Sequence, residues 1–233
     1  MSLRPDRLNA LAAAVAARSY LEVGVSRGST FTKVNVARKV AVDPVFRFDT
    51  AAHAGPGVSY HETTSDAFFS RLAAAHGTFD LIYLDGLHSF AQTFRDFCAS
   101  LACAHEGTVW VIDDTNPTSL PSAQRTARAA RWLRRLYLGG SGGKDSSWMG
   151  DVYKVVFALH DFFPQFSYAT YQGHGQTVVW RERRADFAPA WNSLARIERL
   201  GYFGFLKARP LLNLVDDAEI LRRVAGRDRE NIP

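Results

Sequence analysis

Phe79-Asp-Leu-Ile-Tyr-Leu84 runs straight into Asp85-Gly-Leu-His88, and Gly107-Thr-Val-Trp-Val-Ile112 runs straight into Asp113-Asp114-Thr115. Each is a short apolar segment that ends in carboxylates, the pattern of a buried strand followed by a polar turn. In an open α/β sheet, groups just past the carboxyl ends of neighbouring parallel strands collect in one crevice. Asp85, Asp113 and Asp114 gathered there would repel one another unless a cation or a shared proton relieved the charge. An all-oxygen ligand set suits a hard divalent ion such as Mg²⁺. His88, three residues after Asp85, places a base beside that site.

Working outward, Ser19-Tyr-Leu-Glu-Val23 reads as a first strand closed by Gly24, and Lys39-Val-Ala-Val-Asp43 as a second closed by Pro44. Val58–His61 is a weak third strand, so 79–84 and 108–112 are the fourth and fifth. The spacing predicts helices over 28–37, from a cap at Ser65 or Asp66 to Ala75, over 90–104, and over 123–138. Strands alternating with helices argue for right-handed crossovers and a parallel sheet. Past residue 139 the rhythm changes. Gly139–Gly143 belongs to a glycine- and serine-rich loop, and a helix follows near 150–162. Phe166–Tyr171 and Thr177–Trp180 flank a glycine-containing turn and read as an antiparallel hairpin. The expected fold is α/β, Rossmann-like and doubly wound, with a mostly parallel seven-stranded sheet and an antiparallel C-terminal hairpin. Residues 1–184 are expected to form the domain with its N-terminal helix, and 185–233 a helical tail docked on it.

The 233 residues suffice for one sizeable core, and 47% hydrophobic with 22% charged residues is ordinary for a globular protein. Cys98 and Cys103 are placed on different faces of one helix, which suits a reducing, cytoplasmic setting better than a disulfide. The net charge of +5 tolerates an anionic ligand without requiring nucleic acid. No apolar run approaches the ~20 residues of a membrane span. Leu8, Leu11 and Val15 lie at helical spacing, so the N-terminus reads as a first helix rather than a signal peptide.

Glu22-Val-Gly24-Val-Ser-Arg-Gly28 lies at the first strand–helix turn, where glycines allow close ligand approach and a helix N-terminus would face an anion. Asp43, at the end of the second strand, can accept hydrogen bonds from ribose hydroxyls. The glycine spacing is G-x-x-x-G, so the dinucleotide fingerprint G-x-G-x-x-G is not met, and Glu22 would repel a pyrophosphate. A ligand carrying a ribose, an amino group and a carboxylate fits better than a nicotinamide dinucleotide.

The ordered set Glu-Val-Gly (22–24) with Gly28, Val-Asp-Pro (42–44), Thr-Ser-Asp (64–66), Leu-Asp-Gly-Leu-His (84–88) and Ile-Asp-Asp-Thr (112–115) resembles class I S-adenosylmethionine-dependent methyltransferases. More narrowly it is similar to the metal-dependent O-methyltransferases of the catechol, caffeoyl-CoA and macrolide-sugar types. The resemblance spans roughly residues 20–180. It implies S-adenosyl-L-methionine as methyl donor, with Glu22 and Gly24 at its methionine end, Gly28 in the same motif, Asp43 on the ribose and Ser65 near the adenine. It further implies Mg²⁺ or a similar divalent cation on Asp85, Asp113 and Asp114. His88 falls where the catechol type carries a catalytic lysine and the sugar branch a histidine. Two departures stand out: Ser26 occupies a position where many such enzymes have glycine, and Asp114 stands where the catechol type has asparagine.

The implied partner is a small-molecule hydroxyl acceptor such as a sugar or polyketide, with no membrane partner and homo-oligomerisation left open. Arg125, Arg128, Arg131, Arg134 and Arg135 form a basic helix face without interleaved aromatics, so it reads as a solvated face rather than an RNA surface. The alternatives are a metal-independent methyltransferase of RNA or another acceptor, a nucleotide-binding Rossmann oxidoreductase, and a catalytically idle nucleoside-binding module. Asp151 and Lys154 point either to the substrate side or to an ordinary helix cap. The Gly139–Gly143 loop is a candidate cover for the acceptor.

Overall fold

In the computed structural model, residues 3–137, 147–173 and 175–226 are described; the Gly139–Gly143 loop lies outside them. Helix α1 (Leu3–Ala14) leads into β1 (Ser19–Val23), followed by β2 (Arg38–Asp43), β3 (Val58–Glu62), α2 (Ser65–Arg71), β4 (Phe79–Leu84), α3 (Phe90–Ser100) and β5 (Ala104–Ile112). Next come α4 (Ala127–Tyr137), α5 (Lys154–Phe162), β6 (Phe166–Tyr171) and β7 (Thr177–Arg181). The chain then continues through α6 (Leu194–Glu198), α7 (Tyr202–Ala208), β8 (Leu214–Val215) and α8 (Asp217–Gly226).

The sheet order is β3-β2-β1-β4-β5-β7-β6-β8. β1, β2, β3, β4 and β5 pair in parallel, while β7 is antiparallel to both β5 and β6. This is the Rossmann-like α/β architecture with its antiparallel C-terminal hairpin. The sheet has eight strands rather than the expected seven, because two residues of the C-terminal segment, Leu214 and Val215, pair in parallel with Thr170 and Tyr171. So short a pairing leaves no hydrophobic alternation to read. The chain reverses direction across the sheet between β1 and β4, the crevice where open α/β folds bind ligands.

Strand periodicity decides which residues face which helices. Leu21, Val23, Ile82, Leu84, Trp110 and Ile112 pack on one face with Phe97, Phe157 and Phe205. Tyr20, Leu81, Tyr83, Val109 and Val111 pack on the other, with Leu8 and Leu11 of α1 and Ile220 and Val224 of α8. By the same alternation Glu22, Asp85 and Asp113 continue the second set, so three acids reach the strand ends on the side covered by α1. Arg7 of α1 is buried, with a two-pronged pair to Asp217 of α8 (2.9 and 2.9 Å). It also stacks 4.0 Å over the Tyr171 ring.

One predicted helix is replaced. Residues 28–37 form only a single 3₁₀ turn, Phe31–Lys33. The carbonyls that an α-helix would use are taken by side chains: Lys39 Nζ donates to Phe31 and Val34, and Asn9 Nδ2 to Lys33, each at 3.0 Å. Phe31 and Val34 are pinned in the core. No α-helix N-terminus therefore faces the first glycine loop, and the expected dipole contribution to anion binding is absent there. Smaller boundary shifts follow from local capping. Thr64, not Ser65 or Asp66, accepts the α2 cap bond from the Ala67 N–H, and β5 begins at Ala104, where a longer α3 was expected.

Candidate active site

The loop after β1 is shaped by close backbone contact. Gly24 has φ +90°, and a Cβ there would lie 2.0 Å from the Asp85 carbonyl oxygen, so only glycine lets the β1 and β4 turns cross. Ser26 adopts φ +47°, a left-handed conformation that non-glycine residues rarely take. It is held there from both sides: its N–H donates to Asp43 Oδ2 (2.8 Å), and its carbonyl accepts from Arg47 N–H (2.8 Å). Asp43 Oδ1 accepts from Val45 N–H (2.9 Å). Each oxygen of Asp43 has a backbone partner and keeps a second lone pair for a ligand.

These elements enclose a cavity of about 730 Å³ at the carboxyl ends of β1, β2 and β4. Glu22, Gly24, Asp43, Ser65, Asp85 and His88 line it together. Gly28 does not reach the wall; it turns the loop at φ +71°, and a Cβ there would lie 3.0 Å from the Phe48 ring. Ser65 Oγ accepts from Gln92 Nε2 (3.2 Å), an amide that also donates to Asp66 and Asp96.

Glu22 is buried, and Tyr20 Oη donates to it at 2.5 Å. Burial pushes its carboxyl up to about 8, although the Tyr20 bond and the Lys39 charge act the other way. Burial thus favours the neutral form of this acid.

Asp85, His88 and Asp114 bring one ligand atom each within 4.8 Å of one another. Asp85 follows β4, and its carboxyl is held well above the ordinary range by burial and by the charges of Asp113 and Asp114. Asp114 turns back at φ +60° and pairs with His88 Nδ1. Burial opposes the charged form of His88, but the bond and charge of Asp114, with Asp113 behind it, outweigh that and raise its pKa. Asp113 is the member of the expected trio that stands apart: its Oδ2 lies 2.6 Å from Arg4 Nη2 of α1. Arg4 also lines the cavity and lies 3.8 Å from Asp114. Sequence reasoning passed over Arg4 because it lies far from the motif residues in the chain and only the packing of α1 brings it there.

The His88 ring rests on Trp148 with centroids 5.0 Å apart. Asp151, buried at the start of α5, accepts from the first N–H of α3, Phe90, at 2.8 Å. It also pairs with buried Lys154 (2.9 Å) and with Arg125 (3.1 Å). Asp151 thus anchors the loop that carries His88 and is not on the cavity wall. The donor chemistry fits a divalent ion: the mutually repelling carboxylates of Asp85 and Asp114 converge with the imidazole of His88. Among the described residues no other group of this kind was found.

Residues 11–115 match the family described as a methyltransferase domain. The fold is similar to that of an O-methyltransferase from Bacillus cereus in complex with SAH, at 14% identity and TM-score 0.55, covering 78% of this chain and 82% of that one. It is also similar to a protein from Staphylococcus aureus described as a candidate caffeoyl-CoA O-methyltransferase, at 12% identity and TM-score 0.56, covering 78% and 84%. No curated protein sequence matches significantly. Its fold is that of O-methyltransferases of known structure, and the methyltransferase-domain match lies over the strands and loops that build the cavity. None of its described helices is long and apolar enough to cross a membrane.

Proposed function

We propose that the chain transfers the methyl group of S-adenosyl-L-methionine to a hydroxyl of a small molecule, such as a sugar, polyketide or other secondary metabolite, with help from a divalent cation. The observation that carries this reading is the shared cavity, which joins Glu22, Asp43 and Ser65 to Asp85 and His88 in one space. The B. cereus relative holding SAH in the same fold supports the donor.

In this reading Glu22 ionises against the donor's ammonium group, Gly24 lets its methionine end approach the backbone, and Asp43 accepts from the ribose hydroxyls. Ser65 lies toward the adenine, and Gly28 supports the loop from behind. Asp85, Asp113 and Asp114 would hold Mg²⁺ or a similar ion, which supplies a positive charge that stabilises an acceptor oxyanion. The acceptor oxygen forms a bond to the methyl carbon as the carbon–sulfur bond breaks, the sulfonium becomes a neutral thioether, and His88 takes the hydroxyl proton. Holding both partners in line removes the orientation cost of a bimolecular step.

One observation favours a second reading, metal-independent transfer: Arg4 already places a cation against Asp113. The free thiols Cys98 and Cys103 suit the proposed cytoplasmic setting. The reading is tested by following demethylated donor formed from a panel of hydroxyl acceptors, with and without a chelator. Turnover abolished by chelation and restored by Mg²⁺ supports the metal-assisted form; full turnover in chelator selects the second. No turnover with any hydroxyl acceptor, alongside transfer to an RNA or amine, would overturn the acceptor class.

A further inference from the structure

Arg4 and Arg7 lie three residues apart on α1 and therefore on one helix face. Their partners differ in kind. Arg7 is locked by the two-pronged pair with Asp217 and by the Tyr171 ring. Arg4 holds Asp113 through Nη2, and its buried Nε has no hydrogen-bond partner among the described residues. A guanidinium pairs most strongly with a carboxylate through two parallel bonds. Arg4 is thus strongly attracted but incompletely tied, and it sits over the carboxylates that a divalent ion would need.

The charges sharpen the point. Asp85, Asp113 and Asp114 carry three potential negative charges, and Arg4 supplies one positive charge that cannot be removed near neutral pH. With Asp113 occupied, the ligand atoms that converge are those of Asp85, His88 and Asp114. We propose that Arg4 is a built-in competitor for the divalent ion: its guanidinium occupies Asp113 and opposes the ion's charge, so the site binds a divalent cation more weakly than its carboxylates alone would. The inference rests on the metal-assisted reading above and adds a control to it. The Arg7–Asp217 pair sets that control by fixing α1, so that Arg4 reaches the acids from one turn away.

Mn²⁺ binding to the full chain, followed by the loss of its free electron-spin signal, tests this without any need for turnover. Arg4→Gln should bind Mn²⁺ about 10-fold or more tightly than the unaltered chain, the scale on which neighbours of metal ligands act. Arg4→Lys, which keeps the charge, should stay near the unaltered affinity. Asp114→Asn in either background should abolish binding, which ties the signal to this site. If Arg4→Gln fails to fold, Asp217→Asn replaces it, since freeing Arg7 loosens α1 and should tighten Mn²⁺ binding in the same direction. Equal or weaker binding in the Arg4→Gln or substitute variant, while the unaltered chain binds, overturns the competition and leaves the metal reading intact. No binding in any variant overturns the metal reading, and the competition falls with it.

Discussion

Gly150 and His88 meet backbone to backbone: a Cβ built on Gly150 would lie 1.8 Å from the His88 carbonyl oxygen. Gly150 also adopts φ +64°, so its missing side chain serves both the turn and the contact. Gly150→Ala should therefore cost roughly 1–2 kcal/mol for the left-handed backbone alone, and more for the displaced loop. Chemical denaturation reads the stability loss. The same variant should bind S-adenosylhomocysteine with nearly unchanged affinity while its turnover falls, because the contact positions His88 and not the Glu22–Asp43 side of the cavity. Equal loss of both would mean that the whole pocket collapses.

If Glu22 binds the donor's ammonium as proposed, donor binding should be pH-dependent. In the free protein its proton is held up to about pH 8, whereas a bound ammonium favours the ionised carboxylate. Below that pH, binding must release a proton, so affinity rises with pH and levels off near 8. The slope can reach about tenfold per pH unit for one proton. Calorimetry of S-adenosylhomocysteine binding in two buffers of different ionisation enthalpy should register that proton at pH 7. Glu22→Gln should bind more weakly and lose the slope; an unchanged slope in this variant would place the titrating group elsewhere.

His88 holds its proton more firmly than a free imidazole because Asp114 accepts from it. Nitrogen-detected magnetic resonance of the metal-free protein should place its titration above the usual value of about 6.5. Addition of Mg²⁺ should move it down, since a cation near an imidazolium disfavours the charged form. His88→Ala should keep donor binding and lower kcat by roughly 10²–10⁴. A folded, donor-binding variant with full kcat would remove His88 from the chemistry.

Asp151 carries a large structural burden for one carboxylate. Asp151→Ala would strand Lys154, which is 2% exposed, with only the Glu198 carbonyl as its polar partner. Breaking a buried pair from one side costs ~3–5 kcal/mol. Urea denaturation should show a loss on that scale. A loss below 1 kcal/mol would mean that the ammonium finds water on relaxation.

The strand ends were legible because their signal is local. β1 and β6 carry apolar runs bounded by turn residues, and their limits in the structure are those the sequence suggests. The convergence of Asp85 and Asp114 followed from parallel pairing, which sets consecutive strand ends side by side. What the sequence concealed depends on contacts between distant segments. The helix expected over 28–37 yields to Lys39 and Asn9, which draw its carbonyls away. Asp113 looked equivalent to Asp114, yet the alternation of β5 turns it toward α1 and Arg4, whereas Asp114 bends back toward His88. That difference was readable in principle, since residues 109, 111 and 113 share a face; the identity of the residue waiting on that face was not.

The pair between Arg7 and Asp217 joins α1 to α8. A chain emerging from the ribosome makes α1 before α8, and the surface that holds α1 in place is completed only when α8 appears. Until then Asp113 has no guanidinium from α1 fixed above it, and the acidic crevice stands open on that side. The candidate site is thus completed only once α8 has been made, so a product that stops before α8 carries an unguarded cluster of acids.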